Sequence, residues 1–164
     1  MSTTSAPPAS GAVDGGARVP LPSMLSRLES VYVAEFDRRL RDSEFCALSL
    51  AHSRNVLRHL GSGPQRASDL VELAGVTKQA ISQQLVHLEA GGYVRLRPDP
   101  TDQRARLVAL TAKGERAQQL IRQTFLAIEE EWGRRLGDDA LDDLREKLAA
   151  LIRCAGTAPV VEDF

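Results

Sequence analysis

The sequence predicts a mainly α-helical fold with one small β-hairpin, an α+β arrangement in which the hairpin sits between two groups of helices. Three observations carry this prediction. Apolar residues recur every three or four positions through most of the chain from Leu21 to Ile152. Two short β-prone runs, Tyr93 to Arg97 and Arg104 to Leu110, flank a turn built by Pro98, Asp99, Pro100 and Asp102. Immediately before that hairpin, two short helical patterns meet at a glycine.

Composition sets the bounds. A chain of 164 residues supports one domain with an ordinary core. Its net charge of −1 supplies no global attraction for nucleic acid. The charge is unevenly spread, however. From Thr77 to Arg106 there are five basic residues against three acidic ones, a balance of +2. From Glu129 to Lys147 there are eight acids against four bases, a balance of −4. Any nucleic-acid face therefore belongs to the first stretch.

Residues 1–20 are largely Ala, Ser, Gly and Pro, with little to bury, and read as a disordered tail. They lack the charged start and apolar core of a signal peptide. No run approaches the ~20 apolar residues of a membrane span, so a soluble cytoplasmic protein is expected. Residues 156–164 read as a second loose tail.

The first helix is expected from Leu21 to Arg41. Pro22 suits its first turn, and Leu21, Leu25, Leu28, Tyr32, Phe36 and Leu40 form its apolar stripe. Ser49 can cap a second helix running to Leu60, with Val56, Leu57 and Leu60 facing inward and Gly61–Pro64 ending it. A third, short helix spans RASDLVELAG, with Leu70, Leu73 and Ala74 as its apolar set and Gly75 as its stop. After the hairpin, Thr111 caps a long helix bearing Ala117, Ile121, Phe125, Ile128, Trp132 and Leu136. Gly137 ends that helix. Asp138 is then expected to cap a last helix striped by Leu141, Leu144, Leu148, Leu151 and Ile152.

The fourth helix, within VTKQAISQQLVHLEAGGYV, has two unlike faces. Thr77 is a good N-cap, because its hydroxyl can accept a free N–H of the first turn. At about 100° per residue, Ile81, Leu85 and Leu88 share one stripe. Gln79 and Gln83 lie opposite, flanked by Lys78, Ser82 and His87. That outer face is short-chained and amide-rich, unlike the Glu/Lys mixture of an ordinary solvated face. Gly91 and Gly92 stop the helix. An isolated helix of this kind would be an ordinary amphipathic surface helix. Placed after a short helix and a tight glycine turn, and before a basic hairpin, it makes a winged helix-turn-helix, whose second helix enters the DNA major groove.

From Ala67 to Gly114 the chain closely resembles the MarR (multiple-antibiotic-resistance regulator) family of bacterial transcription factors. The residues that carry the resemblance are Gly75-Val76-Thr77 at the start of the fourth helix and Leu88-Glu89 through Gly92-Tyr93-Val94 at its end. The wing Asp99-Pro100-Thr101-Asp102-Gln103-Arg104 and the sequence Leu110-Thr111-Ala112-Lys113-Gly114 complete the pattern. The flanking helices extend the likeness from about Leu21 to Ile152. Gln103 is a departure, standing where many members carry a second basic residue.

The resemblance implies one MarR-like domain over residues 21–155. Its winged helix-turn-helix core would cover about 44–111, and dimerisation helices about 21–41 and 112–155. The first, fifth and sixth helices have no place inside so small a winged core. They would be buried against one another and against a second chain in a two-fold dimer, or as a monomer they would cover their own winged domain. A dimer would hold two reading helices about one DNA turn, ~34 Å, apart.

The chemistry is recognition. Gln79 and Gln83 can each donate and accept in one plane, which matches the adenine edge. Lys78 suits a base or a phosphate, and Thr77 and Ser82 suit phosphates. His87 is either a DNA contact or a solvated helix residue. Arg104 and Arg106 belong to the wing. By resemblance the Arg104 position reaches the minor groove, oriented by the Asp102 position, with Asp99 shaping the same turn. An Asp–Arg pair there could equally be a hairpin-stabilising ion pair, worth little at a surface.

Tyr32, Phe36 and Trp132 could line an effector cavity, although aromatics at helical spacing are commonly plain core. His52 and His59, seven apart with no acid or Cys at ligand spacing, do not read as a metal site, and no cofactor is implied. Cys46 and Cys154 cannot form a disulfide framework; the resemblance offers Cys46 as an oxidant sensor, as in some members of the family, against the commoner state of a buried inert thiol. No nucleophile–base constellation, phosphate loop or carboxylate pair appears, so an enzyme is not expected. Two classes remain. One is a dimeric regulator, a repressor, that binds a palindromic operator in double-stranded DNA and is released by a small-molecule effector. The other is a winged-helix module for protein–protein contacts, which has no need of Arg104 and Arg106 at a hairpin tip.

Overall fold

The computed structural model describes residues 19–102, 104–137 and 139–156. The expected tails 1–20 and 156–164, apart from Val19, Pro20 and Gly156, lie outside the described residues, as do Gln103 and Asp138. The chain is mostly helical with a small antiparallel sheet. In order it forms α1 (Leu21–Leu40), α2 (Leu50–Asn55), a 3-10 turn (Leu57–Leu60), β1 (Gln65–Arg66), α3 (Ala67–Ala74) and α4 (Lys78–Ala90). Then come β2 (Val94–Pro98), β3 (Arg106–Leu110), α5 (Ala112–Leu136) and α6 (Ala140–Cys154). The sheet order is β1-β3-β2, with Val94 opposite Leu110 and Pro98 opposite Arg106 across the hairpin.

Local chemistry explains most boundaries. The Ser49 Oγ accepts from the His52 N–H, and the Ser49 N–H donates to His52 Nδ1 at 3.1 Å, a reciprocal cap at the start of α2. Gly75 takes a left-handed φ of 64°, which turns the chain sharply from α3 into α4 at no Cβ cost. Thr77 accepts the Ala80 N–H at 3.2 Å. Thr111 serves two ends at once. Its hydroxyl accepts from the Gly114 N–H at 3.1 Å and donates to the Gly92 carbonyl at 2.6 Å, so the cap of α5 also binds the exit of α4. A Cβ on Gly114 would stand 2.0 Å from the Tyr93 carbonyl oxygen, so only glycine allows this crossing. Lys113 closes the corner, with Nζ 2.8 Å from the Gly91 carbonyl and 4.4 Å above the Tyr93 ring.

One continuous core joins these elements. Phe36 and Leu40 of α1 meet Val56, Leu57 and Leu60, then Leu70 of α3 and Ile81, Leu85 and Leu88 of α4. Tyr93, Val94 and Val108 add the sheet, and Ala117, Ile121 and Ile128 add α5. Burying such side chains is worth ~1.5–3 kcal/mol each for the larger ones.

Several expectations need correction. The second helix is not continuous to Leu60. It breaks at buried Val56, whose φ of −129° and ψ of −63° are not helical, and resumes as a 3-10 turn. Leu73 is exposed, and half-buried Val71 takes its place beside Leu70 in the core. The sheet has a third strand, β1, which the sequence reading lacks. The residue preceding α6 is Asp139, and its side chain makes no capping bond. Cys46 and Cys154 are both exposed, not buried. No helix among the described residues is long and apolar enough to cross a membrane.

Candidate nucleic-acid interface

The helix α4 turns Ile81, Leu85 and Leu88 into the core, which leaves Thr77, Lys78, Gln79, Ser82, Gln83 and Val86 exposed. Lys78 and Ser82 look across a groove of about 610 Å³ toward Arg104 and Arg106, between α4, α3 and the wing. Gln79 and Gln83 stand on the outer face of the helix, outside that groove. Glu89 pins the helix to the wing, its Oε1 accepting the Leu96 N–H at 3.2 Å. The structure thus brings Lys78, Ser82, Arg104 and Arg106 to one concave surface and places the two amides on its convex rim.

His87 departs from this set. Its Nε2 donates to the Ala47 carbonyl at 3.1 Å, and its ring stacks on His52 with centroids 4.6 Å apart. The residue stays exposed while it makes these two contacts. It ties α4 to the loop before α2.

The wing turn is built by its two aspartates in different ways. Asp99 is buried, and its Oδ1 accepts the Thr101 N–H at 2.8 Å and hydroxyl at 2.7 Å, while its Oδ2 takes the Arg66 Nε at 2.7 Å. Arg66 also reaches the Thr101 hydroxyl at 3.1 Å. The Thr101 donors, with the Arg66 guanidinium beside them, hold the Asp99 carboxyl down to about 2. Asp102 takes the Arg104 backbone N–H at 3.0 Å. The expected side-chain pair between Asp102 and Arg104 is not what the carboxylate makes. It fixes the turn through the backbone and leaves the guanidinium outside.

Arg66, Thr101 and Glu89 are the residues that sequence reasoning missed. Arg66 looked like the mere start of a helix, and nothing local marks a partner 33 positions away. Thr101 carried a usable signal, because Asp-Pro-Thr places a hydroxyl and an N–H two residues after an acceptor.

The aromatic candidates divide. Tyr32 and Trp132 meet edge to face, with centroids 5.4 Å apart, and line an open cavity of about 630 Å³ with Leu25, Leu28, Phe125 and Leu144. Arg54, Arg58 and Arg122 also border it. Burial, with Glu129 adding to it, pushes the Tyr32 phenol up to about 12. Phe36 is fully buried against Phe125, with centroids 5.3 Å apart, and does not border the cavity. It is core, which corrects its place among the effector candidates.

The MarR family model matches residues 50–105, from α2 through the wing turn. Solved structures share the fold. The transcriptional regulator Tm0710 from Thermotoga maritima is 27% identical, with TM-score 0.59 over 86% of this chain and 100% of its own. Wild-type MarR from E. coli, in its apo form, is 20% identical with TM-score 0.68, covering 84% of this chain and 99% of its own. FabT of Streptococcus pneumoniae, solved in complex with DNA, is 20% identical with TM-score 0.69, covering 82% and 94%. Curated protein sequences give no match. The chain thus carries the MarR-family sequence pattern in its winged segment and a MarR-like winged-helix fold around it.

Proposed function

We propose that this chain is a dimeric, cytoplasmic DNA-binding transcriptional regulator, a repressor rather than an enzyme. In this reading α4 lies in the major groove of each half of a pseudo-palindromic operator, and the wing enters the neighbouring minor groove. The observation that carries the reading is that Lys78 and Ser82 of α4 share one groove with Arg104 and Arg106, with the exposed Gln79 and Gln83 on the helix face beside it. Gln79 and Gln83 read bases from the outer face of α4, while Thr77, Lys78 and Ser82 serve the backbone. That the similarly folded FabT was solved in complex with DNA supports DNA as the partner.

The dimer follows from unspent apolar surface. Leu21, Leu25, Leu28, Leu144 and Leu151 are exposed in the single chain, and α6 buries no residue completely. A second copy that covers these stripes would also set the spacing of the two reading helices. The cavity beside Tyr32 and Trp132 is the proposed seat of a largely apolar effector, placed between the terminal helices and the winged part.

Selection of bound duplexes from random DNA, followed by affinity measurement over a range of salt, tests the proposal. The expected outcome is a palindromic consensus with affinity that falls steeply with salt. Recovery of no consensus, with binding absent at low salt, would overturn it.

A further inference from the structure

Among the described residues, thirteen large hydrophobic side chains are exposed, and eleven of them lie on α1, α5, α6 or at Val19. Those lie on the terminal helices or just before them, whose apolar stripes the proposed dimer would cover. The other two are Leu73 and Val86, and Val86, at 68% exposure, is the most exposed of the thirteen. It is not at a helix end or on a core stripe. Val86 follows Ser82 by four residues and Gln79 by seven, so all three share the outer face of α4. It also borders the groove that holds Lys78, Ser82, Arg104 and Arg106. An isopropyl group therefore projects from the middle of a polar, cationic surface.

We propose that Val86 is a specificity-determining residue that reads the 5-methyl group of a thymine. The inference rests on the DNA-reading role proposed for α4. The physical ground is the short inventory of the major-groove edge. Every base presents donors or acceptors there, and of the four standard bases only thymine presents an apolar group. A branched aliphatic side chain offers no hydrogen bond, and its only gain on that edge is burial against the methyl. Set against an amine or a carbonyl, the same side chain would strip water from a polar group without replacing its bond. Val86 thus favours thymine by contact and disfavours cytosine by desolvation. Gln79 and Gln83 can read by hydrogen bonding one or two turns nearer the N-terminus of α4. The three together combine amide and methyl readout on one helix face.

The test uses the full chain and the consensus duplex recovered from random DNA. Each thymine of one half-site is replaced in turn by deoxyuridine, which removes the methyl and nothing else. For the natural sequence, one such position should weaken binding about fourfold, which is ~0.8 kcal/mol for one buried carbon converted at 1.4 kcal/mol per tenfold. Val86→Ala should bind the thymine and deoxyuridine duplexes equally at that position. Val86→Thr, of the same shape with a hydroxyl for one methyl, should lose much of the preference. Both variants should keep the helical circular dichroism and the salt dependence of the natural chain, since Val86 buries little. Equal affinity for every deoxyuridine duplex in the natural chain would overturn the inference and leave the DNA-reading role standing. So would a methyl preference that persists undiminished in Val86→Ala. Absence of any consensus would instead overturn the underlying reading, and this inference with it.

Discussion

His87 of α4 lies flat against His52 of α2, the two ring planes within 6° of each other, and donates from Nε2 to the Ala47 carbonyl. His52 accepts the Ser49 N–H on Nδ1, so it caps its own helix only while that nitrogen is unprotonated. A proton on His52 removes that acceptor and sets a cation against a second imidazole. Burial, with His87 beside it, holds the His52 pKa below its ordinary value. The unfolded chain therefore binds this proton more readily than the fold does. The stability it contributes is present above pH ~6.5 and is lost as pH falls through the depressed value. His59, also lowered by burial and by Arg58, adds a slope of the same sign. We expect the melting temperature to fall between pH 7 and pH 5, and to fall less in His52→Gln, whose amide can still accept the Ser49 N–H. Parallel curves for the two proteins would show that His52 does not carry the effect.

The pairing of buried Asp99 with half-exposed Arg66 predicts a wing whose order depends on one carboxylate. With its pKa held at about 2, Asp99 keeps its charge through the whole neutral and mildly acid range. Its contribution is present above pH ~3.9 and is lost as pH falls toward 2. Asp99→Asn keeps the shape but not the charge, and should speed amide exchange at Thr101 and Ala105 while leaving the exchange of α5 unchanged. Exchange at those two amides as slow as in the natural chain would place the wing's stability elsewhere.

Much of this fold was legible because its signals are local. Thr77, Thr111 and Ser49 cap helices through partners three residues away, and Gly75 turns the chain by its own φ. The stripe Ile81, Leu85, Leu88 needs only helical periodicity to point inward. The reading failed where contact depends on two elements meeting. Arg66 finds Asp99 only because β1 lies beside β3 next to the wing turn, and His87 finds Ala47 only because α4 crosses the loop before α2. Leu73 and Val71 are adjacent residues in one short helix, and which of them faces inward is decided by where the neighbouring elements lie. Phe36 and Tyr32 are one helical turn apart, yet one is core and the other borders a cavity for the same reason.

Gln83→Ala should relax sequence preference at one position of each half-site. Losing a bidentate amide contact to adenine costs ~1–3 kcal/mol at that base pair and little elsewhere. Comparing affinities for all four base pairs at each consensus position gives the answer. Unchanged discrimination everywhere would remove Gln83 from the reading set.

The apolar surface of α6 makes a prediction about assembly. Leu151 is exposed in the single chain, so Leu151→Glu should leave the protomer's own core intact. Across a two-fold axis it would place a carboxylate in an apolar interface, and twice over. Sedimentation should then move from a species of about twice 17.9 kDa toward a monomer of 17.9 kDa, with loss of tight operator binding. A natural chain that sediments as a monomer at micromolar concentration would sink the dimer.

Arg104 should carry the wing's share of DNA affinity. Its backbone N–H is fixed by Asp102, Asp99 anchors the same turn to Arg66, and its guanidinium pairs with no carboxylate among the described residues. A planar, permanently charged group on a rigid turn suits a narrow minor groove, where the negative potential is deepest. Arg104→Ala should weaken specific and non-specific binding alike and flatten the slope of log affinity against log salt by ~0.9, the value of one phosphate neutralised on duplex DNA. Arg104→Lys should restore the slope but not all of the affinity, because an ammonium lacks the flat donor array. Asp102→Ala should weaken binding less than Arg104→Ala, since it frees the turn while leaving the cation in place. Neither change should alter the fold or assembly, because the turn residues 101, 102 and 104 are exposed. Affinity of the three variants for the consensus duplex at several salt concentrations decides the matter. An Arg104→Ala protein with undiminished affinity and slope would mean that the wing stays clear of the DNA, and that α4 binds alone.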